Sequence, residues 1–304
     1  MVFAHLLIPL DGSRLAESVL PAAAAVARRF GSAVTLLHVI ERAAPAEVHG
    51  ERHLATVPEA EAYLTGVAGR AFAGLAVTVH VHGPHAAGVA DSIAWHADEL
   101  RVGLIALCTH GKGGARELLF GSVAQQVLAR GSVPLLLLRP EGIRDTFACE
   151  TILVPLDGSA PSETGLPPAE ALARAFGGRL YLLTVVPTVG TVPSDRAPAA
   201  LLLPGTTAVS LDIEEDAARS YLARLVERLH GAGVMVSAQV ERGDPAQEVL
   251  AVADRAGADL VIMATHGRSG LSAMWAGSVA SRIAARSRRP MLLVRAPGAP
   301  EKTA

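Results

Sequence analysis

Two stretches of the chain combine residue types suited to holding an anion. The first runs Cys108-Thr109-His110-Gly111, then nine residues, then Gly121-Ser122-Val123; the second runs Ala264-Thr265-His266-Gly267, then nine residues, then Gly277-Ser278-Val279. Each follows a short apolar run, Leu104 to Cys108 or Leu260 to Ala264, and leads into a helix-like segment. Glycines let a backbone approach a phosphate closely, and a helix N-terminus supplies unpaired N–H groups and the positive end of its dipole. The chemistry implied is phosphate capture. His110 and His266 stand beside the loops, but no nucleophile lies near them at triad or metal-ligand spacing. They therefore read as packing or hydrogen-bonding residues. Lys112 and Arg268 follow the loop glycines, and phosphate pairing and plain surface charge both stay open for them. The chain carries neither a P-loop signature nor a Gly-x-Gly-x-x-Gly run, which argues against a P-loop NTPase or an NAD enzyme.

The elements that must position these loops also come twice. Leu6-Leu7-Ile8-Pro9-Leu10-Asp11-Gly12-Ser13 returns as Ile152-Leu153-Val154-Pro155-Leu156-Asp157-Gly158-Ser159, an offset of 146 that also carries Val39 onto Val185. Gly83 matches Gly243 at 160, and Gly111, Gly121 and Pro134 match Gly267, Gly277 and Pro290 at 156. The second copy thus holds 14 extra residues, expected as a loop around Thr188 to Thr207, and the first holds four extra, expected around Trp95 to Val102. The reading is one domain duplicated in tandem, 1–140 and 150–296, joined near Arg139 to Glu150. In the first copy, strands are expected near 3–9, 33–39, 75–82, 102–108 and 134–139, with helices near 14–30, 56–73, 86–98 and 121–130. In the second, strands fall near 151–156, 179–186, 233–241, 259–264 and 290–295, with helices near 160–176, 208–231, 245–256 and 277–287. Pro21 and Pro167 lie inside the first helix of each copy and predict a kink or a late start. Asp244 is expected to cap the helix that Pro245 opens, with Gln247 as its partner. Apolar strands without alternation, such as Leu135 to Leu138, are those of parallel sheets covered on both faces. The fold class is α/β: two tandem doubly wound five-stranded parallel-sheet domains, with ligands at the carboxyl ends of the strands.

Composition narrows the function. Half of the 304 residues are hydrophobic and 18% are charged, which suits two globular α/β domains. A net charge of -2 with no long basic run gives no field for nucleic acid. No apolar segment nears the roughly 18 to 20 residues that span a bilayer, and the N-terminus has no basic leader, so a cytoplasmic protein without a membrane segment is expected. Two cysteines, Cys108 and Cys149, make no disulfide framework, and Cys108 is expected as an inert core residue at a strand end.

Four landmarks recur in order in both copies: the Pro-Leu-Asp-Gly-Ser end of strand one, the Leu-His-Val or Leu-Thr-Val end of strand two, the Gly-Pro or Gly-Asp-Pro turn, and the Thr-His-Gly-x9-Gly-Ser-Val loop. Together they resemble the universal stress protein family, in its tandem two-domain form, over nearly the whole chain. The resemblance implies a Rossmann-like fold of the adenine nucleotide alpha hydrolase type and ATP as ligand, with Mg²⁺ as its companion. It implies that Asp11 and Asp157 lie near the adenosine, and that Pro9, Leu10, Pro155 and Leu156 line the adenine pocket. Val39 and Val185 would contact the base through their backbone. Gly111, Gly121, Ser122 and Val123, with Gly267, Gly277, Ser278 and Val279, would take the phosphates. The family motif begins with a glycine where this chain has Cys108 or Ala264; a Cβ there crowds the phosphate path, more so for Cys, which makes the second half the better site. The resemblance implies a non-enzymatic stress-response protein that signals or protects through nucleotide occupancy. Its halves would pack as an intramolecular pseudo-dimer through Leu135 to Leu138 and Met291 to Val294, with homodimerisation and unnamed protein partners also implied. A slow Mg²⁺-dependent ATPase and a nucleotide-free interaction module stand as alternatives.

Plainer readings accompany these. Asp11, Ser13, Asp157 and Ser159 precede helices and suit N-caps or turns, as do Ser122 and Ser278. His80, His82 and His85 cluster in the first copy only; strand alternation puts His80 and His82 on one face, a weak metal-site geometry that otherwise reads as a solvated strand end.

Overall fold

The structure is a computed structural model that describes residues 2–41, 47–48, 50–83, 88–109, 122–140, 147–194, 196–266 and 278–296. It divides into two compact units, Met1–Ala148 with Pro290–Arg295, and Cys149–Arg289 with Ala296–Ala304.

In the first unit the order is β1 (His5–Pro9), α1 (Arg14–Glu17), α2 (Leu20–Phe30), β2 (Ala33–Val39), a short hairpin of β3 (Glu47–Val48) and β4 (Glu51–Arg52), α3 (Val57–Ala71), β5 (Val77–His82), α4 (Val89–Glu99), β6 (Leu104–Cys108), α5 (Ser122–Arg130) and β7 (Leu135–Leu138). The five long strands are all parallel in the order β5-β2-β1-β6-β7. The last strand among the described residues, Met291–Ala296, runs antiparallel beside β7, with Met291 opposite Leu137 and Leu293 opposite Leu135. Leu6, Leu7 and Ile8 are wholly buried, as expected of strands with helices on both faces.

The second unit repeats the plan: β8 (Thr151–Pro155), α6 (Ala160–Glu163), α7 (Leu166–Phe176), β9 (Arg179–Val186), α8 (Ala197–Leu202), α9 (Pro204–Gly231), β10 (Met235–Arg242), α10 (Pro245–Arg255), β11 (Leu260–His266) and α11 (Val279–Arg286), with β12 (Met291–Ala296) the strand already described. Its strands run parallel in the order β10-β9-β8-β11.

The break expected at Pro21 and Pro167 is real: α1 and α6 are single turns, and each proline enters the following helix at its first turn, where a missing N–H costs nothing. Asp244 caps α10, its carboxylate accepting from the Gln247 N–H at 3.0 Å. Two expectations need correction. The 14 extra residues of the second copy are largely helix, because α8 is added and α9 spans 28 residues against 15 for α3. The four extra residues of the first copy do not fall at Trp95 to Val102. The offset is already 156 where α4 and α10 begin, so the difference lies between Gly83 and Val89, mostly outside the described residues. Among the described residues no helix is long and apolar enough to cross a membrane.

Candidate functional site

Strand order places the site. In each unit the first strand lies between the second strand and the fourth, so connections leave in opposite directions at β1/β6 and at β8/β11. A crevice opens at the carboxyl ends of strands at such a switch point. Asp11 follows β1 there, Cys108 ends β6 and Thr109 follows it; Asp157 follows β8, and Ala264 to His266 end β11.

The Asp-Gly-Ser turn is built alike in both units. Asp11 Oδ1 accepts from the Ser13 N–H at 2.9 Å and the Ser13 hydroxyl at 2.6 Å; Asp157 Oδ1 accepts from the Ser159 N–H at 2.9 Å and its hydroxyl at 2.5 Å. Each serine then caps the next helix, accepting from the Ala16 or Ser162 N–H. The caps are therefore Ser13 and Ser159, and the aspartates hold the caps. Gly12 and Gly158, at φ +94° and +80°, supply the left-handed bend between them.

Pro9 and Pro155 are half-buried strand ends, whereas Leu10 and Leu156 are buried. Both leucine N–H groups bond across to strand two, at Leu37 O and Leu183 O, 2.8 Å each. Val39 and Val185, both half-buried, occupy the matching place near the end of strand two. In the first unit the buried His38 ring lies between Leu10 O at 2.8 Å and Leu54 O at 3.3 Å, and Glu51 accepts from the Arg14 N–H at 2.6 Å. The segment around β4 is thus tied down over the Asp11 turn.

Two tyrosines that sequence reading passed over join the acidic side of each site. Burial, then Glu17 and Asp11, raises the Tyr63 phenol above its ordinary range. Burial, then Glu163, with Asp157 also contributing, does the same for Tyr221, whose hydroxyl donates to Glu163 Oε1 at 3.1 Å. Both stay protonated donors at neutral pH. They come from the long helices after strand two, too far along the chain for any local motif to connect them.

Cys108 is half-buried rather than sealed in the core, and its Sγ accepts from the Ser18 hydroxyl at 2.8 Å. The thiol is thereby held toward the turn between α1 and α2. Ala264 instead faces Gly165, where a Cβ would lie 3.7 Å from the Ala264 nitrogen. Of the phosphate-side residues, Ser122 opens α5 and Val123 follows it. Ser278 caps α11, accepting from the Ser281 N–H at 3.1 Å, and Val279 begins that helix. Gly111, Gly121, Gly267 and Gly277, with His110, Lys112 and Arg268, lie outside the described residues, as does the side chain of His266.

The histidines of the first copy gather in a way not foreseen. His80 and His82 on β5 meet His96 of α4, and their ligand atoms all lie within 4.8 Å of one another. His85 lies outside the described residues. Burial, then His80 and His82, holds His96 below the ordinary imidazole range.

Two doubly wound units, each with a carboxylate-serine turn at its switch point, define a tandem α/β protein. The universal stress protein family model matches residues 3–139 and 149–295, so the chain belongs to the universal stress protein family. A universal stress protein of Mycolicibacterium smegmatis is 26% identical over 306 residues, covering 95% of this chain and 96% of that one. A universal stress protein of Methanocaldococcus jannaschii is 28% identical over 149 residues, covering 48% of this chain and 82% of the relative. Among solved structures, a universal stress protein from Archaeoglobus fulgidus superposes with a TM-score of 0.69 at 19% identity, covering 97% of this chain and 98% of that one.

Proposed function

We propose that the chain is a stress-response protein that binds an adenine nucleotide, ATP with Mg²⁺, in one or both of its repeats, 1–140 and 150–296. The observation that carries the reading is the Asp-Gly-Ser turn, present at the switch point of both units with the same hydrogen bonds. Asp11 and Asp157 offer acceptors for ribose or base hydroxyl and amino groups, while Val39 and Val185 offer backbone groups to the base. Leu10 and Leu156 contribute backbone beside Pro9 and Pro155. Ser122 with Val123, and Ser278 with Val279, open helices whose free amides suit phosphate, with Gly111, Gly121, Gly267 and Gly277 giving close approach. The residues fit such a ligand best in the second unit, where Ala264 replaces the family glycine with a single methyl group. Binding there would favour one arrangement of the loops over others and so change the surface a protein partner meets. Cytoplasmic residence and pairing of the two repeats as a pseudo-dimer belong to the same reading, with homodimerisation as a further assembly.

One observation favours a second reading for the first repeat alone. Its Cys108 adds a thiol at the motif's first position, anchored to Ser18. That repeat then works as a nucleotide-free partner of the second.

Calorimetric titration of Mg-ATP into the wild type, Gly121→Val, Gly277→Val and the double variant tests both. Loss of saturable binding in Gly277→Val alone assigns the site to the second repeat, and partial loss in each single variant assigns two sites. No binding by the wild type overturns the nucleotide reading.

A further inference from the structure

We propose that His80, His82 and His96 form a binding site for a divalent transition-metal ion of the zinc class. The site lies at the β5 edge of the first unit's sheet, between that strand and α4. His80 and His82 are alternate residues of β5 and so share a face, and α4 lays His96 against them. His96 Nε2 is 3.1 Å from His82 Nδ1, and its ring centroid is 4.5 Å from that of His80 and 5.0 Å from that of His82. Three nitrogens on a tetrahedral zinc at about 2.0–2.1 Å stand roughly 3.3 Å apart, so the cluster needs only rotamer adjustments to close on an ion. Imidazole donors suit zinc, and cobalt, nickel and copper as its competitors.

The surroundings support a ligand role. His96 Nδ1 faces Glu99 Oε2 at 3.4 Å, the carboxylate-histidine arrangement that fixes which nitrogen meets a metal. Trp95 packs edge-on against His96 at 4.6 Å and also approaches His82 at 6.2 Å, screening the outer side. His96 is 3% exposed while His80 and His82 are half-buried, which leaves an entry path from the strand side.

The second unit fills the corresponding place with a different set of groups. Leu37 and Val39 pair with His80 and His82; their repeats Leu183 and Val185 pair with Gln239 and Glu241. There Tyr181 donates to Gln239, Gln239 donates to Glu241 at 2.8 Å, and Arg255 of α10 closes the chain on Glu241. The helix position matching His96 is the buried Val252. A hydrogen-bonded relay in one repeat is replaced by three imidazoles in the other.

The test is Co²⁺ and Zn²⁺ binding to the full chain without an affinity tag. Co²⁺ titration should give one equivalent with the intense visible absorption of a tetrahedral ion, displaced by Zn²⁺. His82→Ala and His80→Ala, at half-buried positions that leave the core intact, should each weaken binding at least about tenfold, and Glu99→Gln should weaken it about tenfold. Zn²⁺ should raise the thermal midpoint of the wild type and leave that of His82→Ala unmoved. His96→Ala is the stricter variant, with circular dichroism to confirm folding. Absence of saturable binding in the wild type, or binding unchanged in His80→Ala and His82→Ala, overturns the proposal.

Discussion

Leu54 stands directly over Gly12: a Cβ built on the glycine would lie 3.0 Å from both Cγ and Cδ1 of that leucine. At the repeated position, Gly158 has nothing within 4 Å. The two turns share a backbone but differ in their cover, which makes them a matched pair for experiment.

Gly158→Ala should cost about 1 kcal/mol, the strain of a Cβ at positive φ. Gly12→Ala should cost that and about 1 kcal/mol more for crowding Leu54. Denaturant unfolding of each variant reads the difference; equal losses would show that the β4 segment yields freely.

Asp244 gives the clearest dependence on acid. Burial pushes its carboxyl up, but the Arg282 guanidinium at 2.8 Å and the Gln247 N–H at 3.0 Å outweigh this and hold it below the usual carboxylate range. A group with a depressed folded pKa adds stability above its unfolded value, about 3.9, and loses it as pH falls through the folded value. The stability gap between wild type and Arg282→Met should therefore be constant from neutral pH down to about pH 4 and close below it. A gap unchanged at about pH 2 would mean the pair acts by packing alone.

Cys149 is buried in the second unit, and that burial, followed by the nearby Asp259 carboxylate, pushes its thiol up. The group remains a protonated thiol at pH 8 and is a poor nucleophile. Iodoacetamide should modify Cys149 only in denaturant, as read by peptide mass spectrometry; labelling of the folded chain at the same rate would refute this.

Cys108→Gly restores the family residue at the first motif position. In a Gly277→Val background, where only the first repeat reports, the change should tighten Mg-ATP binding about tenfold, or about 1.4 kcal/mol. The fold should lose about 1 kcal/mol from the added chain freedom. An unchanged affinity would show that the thiol does not obstruct the ligand.

The duplicated plan was legible because Pro-Leu-Asp-Gly-Ser and the strand ends are local strings, and apolar runs such as Ile152 to Val154 mark buried parallel strands directly. The helix expected near 208–231 is α9, but its first turn and the added α8 were not legible, because Pro198, Pro204 and Gly205 read as breakers. In fact the prolines occupy first-turn positions of α8 and α9, where they are favourable. Alternation put His80 and His82 on one face, but nothing local could bring in His96, which reaches them only because α4 folds back on β5. Tyr63 and Tyr221 escaped notice for the same reason: helix packing, not spacing, sets them beside the aspartates.

The antiparallel strand beside β7 makes the first unit discontinuous in the chain. Its sheet includes Met291 to Arg295, which the ribosome delivers about 150 residues after Leu138. At about 5–20 residues per second the nascent unit waits roughly 8–30 s with the Leu135 to Leu138 edge uncovered. An open apolar edge is a template for pairing with another chain, so the connectivity itself sets an interval in which this edge is open to such pairing.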